Sequence, residues 1–264
     1  MEPTIRGREL GAALGEVMQR AHKSVPELAH VLDWSRPRLY RLLHGKRGVS
    51  NEDLSALLAQ CRVTGEQRRR LLELNEGFGA PGWILPTTDQ CLLARQERQA
   101  FRVRQYATQL IPALLRTPDY ARTAGVPGRE DIFDLIGHPE CVFFLHEQAL
   151  HTPIGDLELM SEQLHHLIRL AVLPRVSIRV VPPAGPVRTP FRVLEFDGFR
   201  PLAYAETPVT AIFYEEHSEL AVFYELMGTL DRVALDEEES LACLRRLAAV
   251  LDEGAGLPAS GNRL

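Results

Sequence analysis

The chain has 264 residues and a net charge of −5, with 45% hydrophobic and 25% charged residues. This composition is typical of a folded protein and excludes a disordered, collagen-like or low-complexity chain. No stretch approaches the ~18 consecutive apolar residues of a membrane span, and the charged N-terminus does not resemble a secretory signal. We therefore expect a cytoplasmic protein with no membrane partner.

The cysteines and histidines do not form the patterns of a metal site. The four cysteines are far apart and include no C-x-x-C pair: Cys61, Cys91, Cys141 and Cys243. Their spacing predicts isolated reduced thiols rather than a zinc site or a disulfide framework. His165 and His166 are adjacent, so on a helix they point about 100° apart. Because the usual nucleotide-binding and hydrolase motifs are also missing, the sequence predicts no catalytic set, no metal and no cofactor.

The charge is unevenly distributed along the chain. Residues 1–76 hold 13 basic and 10 acidic side chains, a net +3, whereas residues 77–264 hold 17 and 25, a net −8. Between Trp34 and Arg47 there are five basic residues and no acidic one. A local cluster of this kind can bind phosphates whatever the total charge of the protein.

Residues 1–76 are predicted to form a domain of five short helices. Apolar residues at helical spacing indicate a first helix from Arg6 to His22. Ser24 and Glu27 have the spacing of a capping box, which predicts that a second helix begins at Val25 and runs to about Leu32. Each helix is followed by a short turn, as in a compact helical domain.

Similar signals mark the other three helices of this domain. Ser35 is the expected cap of a third helix, which ends before Gly45. Ser50 and Asp53 suggest a second capping box at the start of a fourth helix. A fifth helix is predicted over residues 65–76.

The rest of the chain has a different pattern. Residues 77–90 begin with three glycines and two prolines in twelve residues, which predicts a linker. A helix is expected over Leu92 to Gln109, followed by short alternating strands and two closing helices. Residues 91–252 are therefore predicted to form an α+β domain with a small, mainly antiparallel sheet. The tail, residues 253–264, is predicted to be disordered.

The second and third helices have the pattern of a helix-turn-helix. In that motif a short helix supports another helix that enters the ~12 Å wide major groove of DNA. Small or apolar residues occupy the positions that would pack inward: Leu28, Ala29, Leu32, Leu39 and Leu42. The outward positions are polar, and a guanidinium there can match the O6 and N7 edge of guanine. The alternative is a solvated basic face on an ordinary helical bundle.

Two kinds of DNA contact follow from these positions. Arg36 and Arg41 are expected to address bases, and Lys46 and Arg47, beyond the helix, are expected to reach only backbone phosphates. The N–H groups at capped helix N-termini provide further phosphate sites. The candidate DNA-binding residues from this reasoning are Ser24, Ser35, Arg36, Arg38, Tyr40, Arg41, Lys46 and Arg47.

Residues 25–45, VPELAHVLDWSRPRLYRLLHG, resemble the helix-turn-helix of the XRE family, the Cro and phage-repressor type. The E-L-A at Glu27 to Ala29 and the final Gly45 match that family well. The resemblance implies base-reading positions at Arg36, Pro37 and Arg41. The sequence departs from the family at Asp33, where glycine is frequent, and at Pro37, which cannot hydrogen-bond a base. The operator sequence therefore cannot be carried over.

Residues 111–125, IPALLRTPDYARTAG, are similar to a segment of actinobacterial regulators of the WhiJ-like and Scr1-type antitoxin-like group. Further matches lie at residues 147–150 and 234–240. This resemblance implies an actinobacterial transcription regulator, often encoded beside a small partner protein. It assigns no chemistry to the second domain beyond sensing or partner binding.

Together these patterns predict an all-α N-terminal five-helix helix-turn-helix domain followed by an α+β C-terminal domain. The expected function is sequence-specific transcriptional regulation, with double-stranded operator DNA, a second copy in a homodimer and a small protein as partners. Two alternatives are an enzyme and a protein-interaction module in the C-terminal domain, with DNA binding secondary. A concave cluster of titratable residues in that domain would favour an enzyme, and the sequence reveals none.

Overall fold

The chain folds into two compact units. The computed structural model describes residues 2–86, 90–126, 128, 132–133, 137–186 and 188–256. The first unit comprises residues up to Leu85 together with Gly198–Pro201 and Ile212–Glu219, and the second comprises the rest of the described chain. Two segments from far along the sequence thus belong to the N-terminal unit, which extends beyond the predicted residues 1–76.

Five helices form most of the first unit: α1 (Ile5–Arg20), α2 (Val25–Val31), α3 (Arg36–Leu43), α4 (Asn51–Gln60) and α5 (Gly65–Glu76). The predicted five-helix architecture is confirmed. The capping box of Ser24 and Glu27 is present at α2, and the Ser35 side chain caps α3 by accepting from the Arg38 N–H. Local capping therefore determines where these two helices begin.

Leucines from all five helices meet in one apolar core. Its members include Leu14 of α1, Leu28 of α2, Leu39 of α3, Leu57 of α4 and Leu71 of α5, each no more than 2% exposed. Burial of this apolar surface is the main term that stabilises the helical unit. The core side chains of α2 and α3 are the ones that the helix-turn-helix pattern predicted to face inward.

The α1 helix packs very closely on the end of α3. A Cβ atom at Gly11 would overlap the carbonyl oxygen of Leu43. A Cβ atom at Gly7 would lie 2.8 Å from the carbonyl oxygen of Gly45, which itself has a left-handed φ of 65°. Glycine is required at these positions because a side chain would force the two helices apart.

In the described part of the chain, seven strands form a single sheet: β1 (Trp83–Pro86), β2 (Arg102–Ala107), β3 (Glu140–His146), β4 (Val176–Val181), β5 (Phe191–Glu195), β6 (Leu202–Glu206) and β7 (Thr210–Tyr214). Their order is β1-β7-β6-β5-β2-β3-β4. β3 pairs in parallel with β2 and β4, and β5 pairs antiparallel with β2 and β6. The sheet is thus mixed, and the parallel part reflects the long connections with helices that join β2, β3 and β4.

The remaining helices are α6 (Gln90–Gln99), a short 3₁₀ helix (Ala113–Leu115), α7 (Pro118–Thr123), α8 (Glu147–His151), α9 (Leu157–Leu170), α10 (His217–Val233) and α11 (Glu237–Gly254). They belong to the second unit, apart from the first three residues of α10. The predicted α+β class is confirmed. Within the described ranges, every helix is too short or too polar to span a lipid bilayer.

Three predicted segment boundaries differ from the structure. The helix predicted over Leu92 to Gln109 is wrong in its second half, because residues 102–107 form β2 between β3 and β5, where pairing on both sides outweighs helical propensity. The predicted linker, residues 77–90, contains β1, and its residues 87–89 lie outside the described part. α11 continues to Gly254, and residues 257–264 of the predicted disordered tail also lie outside the described residues.

A buried carboxylate completes the first unit. Glu215 is 2% exposed and accepts hydrogen bonds from the N–H groups of Ile5, at 2.8 Å, and Gly82, at 3.0 Å. Ile5 is the first residue of α1, so the carboxylate lies at the positive end of that helix dipole. Burial nevertheless raises the pKa of Glu215 above its ordinary value, because desolvation outweighs these two hydrogen bonds and the nearby Arg8.

We expect Glu215→Ala to lower the free energy of unfolding by about 1–3 kcal/mol, because two N–H donors would lose their acceptor. Urea denaturation of the full chain, followed by circular dichroism, measures this change. Glu216→Ala is the matched control, since its side chain is the exposed neighbour of Glu215. Equal stability of the two variants would contradict the role assigned to the Glu215 carboxylate.

Candidate nucleic-acid interface

The turn between α2 and α3 depends on one residue in a left-handed conformation. Asp33 has φ of 53°, which aspartate tolerates better than most residues. The next N–H, of Trp34, donates to the carbonyl of Ala29 at 2.8 Å, and the Trp34 ring is buried. These contacts fix the orientation of α3 relative to α2.

The α3 helix has a buried face and an exposed face. Leu39 and Leu42 are 0% exposed. The predicted contact residues on the other side are exposed: Arg36, Pro37, Tyr40 and Arg41. The side chains of Arg36 and Arg41 have no ion-pair partner among the described residues. Since Tyr40 follows Arg36 by four positions, these two share one stripe of the helix, and Arg41 lies on the stripe that begins at Pro37.

Arg38 is placed differently from the other arginines of α3. Its guanidinium is bonded to the carboxylate of Asp53 at the start of α4, and it lies 4.1 Å from the centre of the Trp34 ring. The Arg38 side chain is 34% exposed. These contacts tie the first turn of α3 to the start of α4 and to Trp34. Asp53 consequently directs its carboxylate to Arg38, although its N–H still donates to Ser50 Oγ at 3.1 Å.

The N-terminus of α2 is already occupied by a carboxylate. The Ser24 N–H donates to the Glu27 carboxylate at 2.7 Å, and the Ser24 hydroxyl donates to the same oxygen at 2.8 Å. These hydrogen bonds lower the pKa of Glu27, so the group is ionised near neutral pH. A phosphate at Ser24 would have to displace this negative charge. At α3 the Ser35 hydroxyl instead accepts from the Arg38 N–H at 3.4 Å, with no acidic residue in the first turn.

Two exposed cations follow the end of α3. The N–H groups of Lys46 and Arg47 both donate to the Arg41 carbonyl, at 2.8 and 3.3 Å. These bonds keep the basic loop beside the helix that carries Arg36 and Arg41. Eight of the nine candidate residues therefore lie on one continuous segment, residues 35–47, and Ser24 lies before it. Within the protein, the Ser24 side chain is engaged by Glu27 and the Arg38 side chain by Asp53. Sequence reasoning missed Trp34 and Asp53, which hold Arg38, because Asp53 lies fifteen positions away and has an independent local signal as a cap.

The second unit contains a buried cluster of charges. Arg192, 6% exposed, forms an ion pair of 2.9 Å with Glu97, which is fully buried. Tyr204 lies opposite Arg192 on β6, and its hydroxyl donates to Glu206 at 2.6 Å. The same surroundings lower the pKa of Arg116 to about 10, chiefly through burial. Opposite charges balance within this cluster, which favours a structural role rather than a reactive cleft.

Among the described residues, no group of three or more metal-ligating side chains lies close enough to hold an ion. The described cysteines are buried free thiols: Cys61, Cys141 and Cys243. Burial raises the pKa of all three, to about 12 for Cys141. Their thiols therefore remain protonated near neutral pH, which makes them weak nucleophiles.

Comparison with known families agrees with the two-part organisation. Residues 9–71 match the family model described as "Helix-turn-helix domain". Residues 90–127 and 122–246 match the model described as "Domain of unknown function (DUF5753)", which covers more than half of the chain. The chain belongs to the DUF5753 family. The helix-turn-helix match in front of the DUF5753 segment supports a DNA-binding regulator.

Other comparisons of the DUF5753 protein add little. No curated protein sequence matches it. A solved structure titled "Structure of TrmBL2, an archaeal chromatin protein, shows a novel mode of DNA binding" is 15% identical and aligns over 81% of this chain and 87% of that chain, with a TM-score of 0.34. This TM-score is too low to indicate a shared fold.

We expect Arg38→Ala to lower the free energy of unfolding by about 1 kcal/mol, because it removes a half-exposed ion pair and a cation–π contact. A double-mutant cycle with Asp53→Ala should give a coupling energy of about 0.2–1 kcal/mol. Arg41→Ala is the control, and its stability should stay within about 0.5 kcal/mol of the parent. Strict additivity of the Arg38 and Asp53 variants would refute their interaction.

Proposed function

We propose that this protein is a sequence-specific transcriptional regulator that places α3 in the major groove of operator DNA. The observation that carries the proposal is the exposed cationic face of α3, backed by the fully buried Leu39 and Leu42. The segment from Trp34 to Arg47 contains five basic residues and no acidic one, so its potential favours a polyanion. The interface is of the XRE type.

Each exposed residue has a role in this proposal. Arg36 and Arg41 donate to base edges, and Tyr40, 49% exposed, offers a ring and a hydroxyl to the groove. Pro37 occupies a base-facing position where it makes only apolar contact. Three further contacts are to phosphates, from Ser35, Lys46 and Arg47. Arg38 orients α3 through Asp53, and Ser24 acts through the cap of α2.

The second unit regulates DNA binding in this proposal. The chain is an actinobacterial, antitoxin-like regulator of the WhiJ-like and Scr1-type group, it acts in the cytoplasm, and it is not an enzyme. A small partner protein or an effector binds the DUF5753 segment. The net charge of −8 over residues 77–264 favours a partner with a basic or neutral surface.

We expect Arg41→Ala to weaken binding to a duplex selected from a random pool by about 1–3 kcal/mol and to leave binding to random duplexes nearly unchanged. The reason is that a base contact contributes only at the correct sequence. Fluorescence anisotropy with both kinds of duplex measures the two affinities.

Lys46→Ala is the control for that experiment. It should weaken binding to both kinds of duplex equally, because a phosphate contact is independent of sequence. The slope of log affinity against log salt should fall by about 1, because one phosphate contact is lost. If Arg41→Ala behaved like Lys46→Ala, Arg41 would be a phosphate contact and the proposed base reading by this residue would be wrong.

We propose that the regulator is a homodimer held by its second unit, since specific sites usually need two helix-turn-helix motifs. The α10 helix leaves Val222 54% exposed, and α11 leaves Val250 62% exposed. Light scattering should give twice the 29.6 kDa chain mass. Val222→Asp should produce monomers, and Val209→Asp, in the turn before β7, should not. A parent protein that stays monomeric at micromolar concentration and on operator DNA would exclude the dimer.

A further inference from the structure

The helical unit contains a pocket at a place where two helices end and another begins. Its volume is about 620 Å³, and it lies between the C-terminal ends of α1 and α4 and the start of α5. Val17 and Cys61 contribute apolar surface, and Gln60 and Gln67 contribute amides. The volume is within the range of small-molecule sites.

The charge around this pocket has one sign. Arg20, His22, Lys23 and Arg62 line it, and none of the described residues that line it is acidic. None of these four side chains forms an ion pair with a described residue. The nearby Glu27 carboxylate is engaged by Ser24. Burial raises the pKa of the Cys61 thiol, so this group also carries no balancing negative charge. The unit charges of Arg20, Lys23 and Arg62 exceed the partial negative charges, about −0.5 each, at the C-terminal ends of α1 and α4, so the pocket attracts an anion.

Two of these residues adopt an uncommon backbone conformation. His22 has φ of 52° after α1, and Arg62 has φ of 55° after α4. Helix-ending positions of this kind usually hold glycine or asparagine, because other side chains are strained there. Helix dipoles favour a cation at each C-terminus. They do not explain why both residues with a left-handed backbone line the same cavity as Arg20 and Lys23.

We propose that this pocket binds a phosphate group. Guanidinium groups form paired hydrogen bonds with phosphate oxygens, and a lysine ammonium adds a compact charge. At the start of α5, Thr64 lines the pocket and makes no side-chain cap, so the positive end of that helix adds to the potential. Lys23 directly precedes the Ser24 cap of α2, so an occupied pocket contacts the helix-turn-helix next to its first helix. The phosphate belongs either to a small phosphorylated ligand or to the DNA backbone.

The first test is a calorimetric titration of the full-length protein with inorganic pyrophosphate at constant ionic strength. We expect saturable binding that becomes about tenfold weaker in Arg62→Asn and in Lys23→Gln, since each loses a charge-assisted contact. Asparagine is chosen at position 62 because it tolerates the left-handed conformation. Arg69→Gln is the matched control, because it removes one charge from the exposed surface of α5, where Arg69 pairs with Glu66. Circular dichroism confirms that each variant is folded.

The second test separates the two sources of phosphate. The salt dependence of affinity for a random duplex is measured for the parent and for the double variant of Lys23 and Arg62. A slope reduced by about 1 for each lost contact assigns the phosphate to DNA. An unchanged slope with weakened pyrophosphate binding assigns it to a free ligand. The proposal is overturned if the slope is unchanged and pyrophosphate binding is either absent or equally reduced by Arg69→Gln.

Discussion

The close contact between α1 and the end of α3 sets the position of the helix that carries the exposed cations. Gly7 and Gly11 let the α1 backbone approach the carbonyl groups of Gly45 and Leu43. These oxygens are backbone atoms, which cannot move aside as the end of a flexible side chain can, so a side chain at either glycine would push α1 away from α3. The orientation of α3 therefore depends on two positions without a side chain.

This contact links the proposed DNA-binding surface to distant parts of the chain. The first N–H of α1 donates to Glu215, which follows β7. Arg8, one turn further along α1, lies 4.9 Å above the ring of Phe199. Both partners come from the segments that join the N-terminal helices in one compact unit. A change in these segments would act on α1 directly, and through α1 on α3.

The basic residues of the helical unit differ in what they can do, although the sequence presents them alike. Arg38 is bonded to Asp53 and covers Trp34, so its charge is already balanced. Arg36 and Arg41 are exposed without such a partner, and Lys46 and Arg47 follow on a loop tied to the end of α3. Removing an unpaired cation from water costs free energy, which new hydrogen-bond acceptors must offset. Phosphate oxygens and base edges provide such acceptors, so these four side chains suit phosphate and base contacts.

The sequence by itself determined the local features. The caps at Ser24 and Ser35, the turn at Asp33, the end of α3 at Gly45 and the inward leucines all follow from preferences within a few residues. These signals were sufficient to locate the helix-turn-helix and most of its exposed candidate residues.

Only the tertiary structure decided the features that depend on distant partners. Residues 102–107 form a central strand because β3 and β5 pair with them on either side, although a helix was expected there. The ion pair of Arg38 also depends on a distant partner, because α4 brings Asp53 to it from fifteen positions away. Glu215 and the buried pair of Glu97 and Arg192 gave no sequence signal, since a buried charge is stable only where folding supplies its partner, from 95 or more positions away.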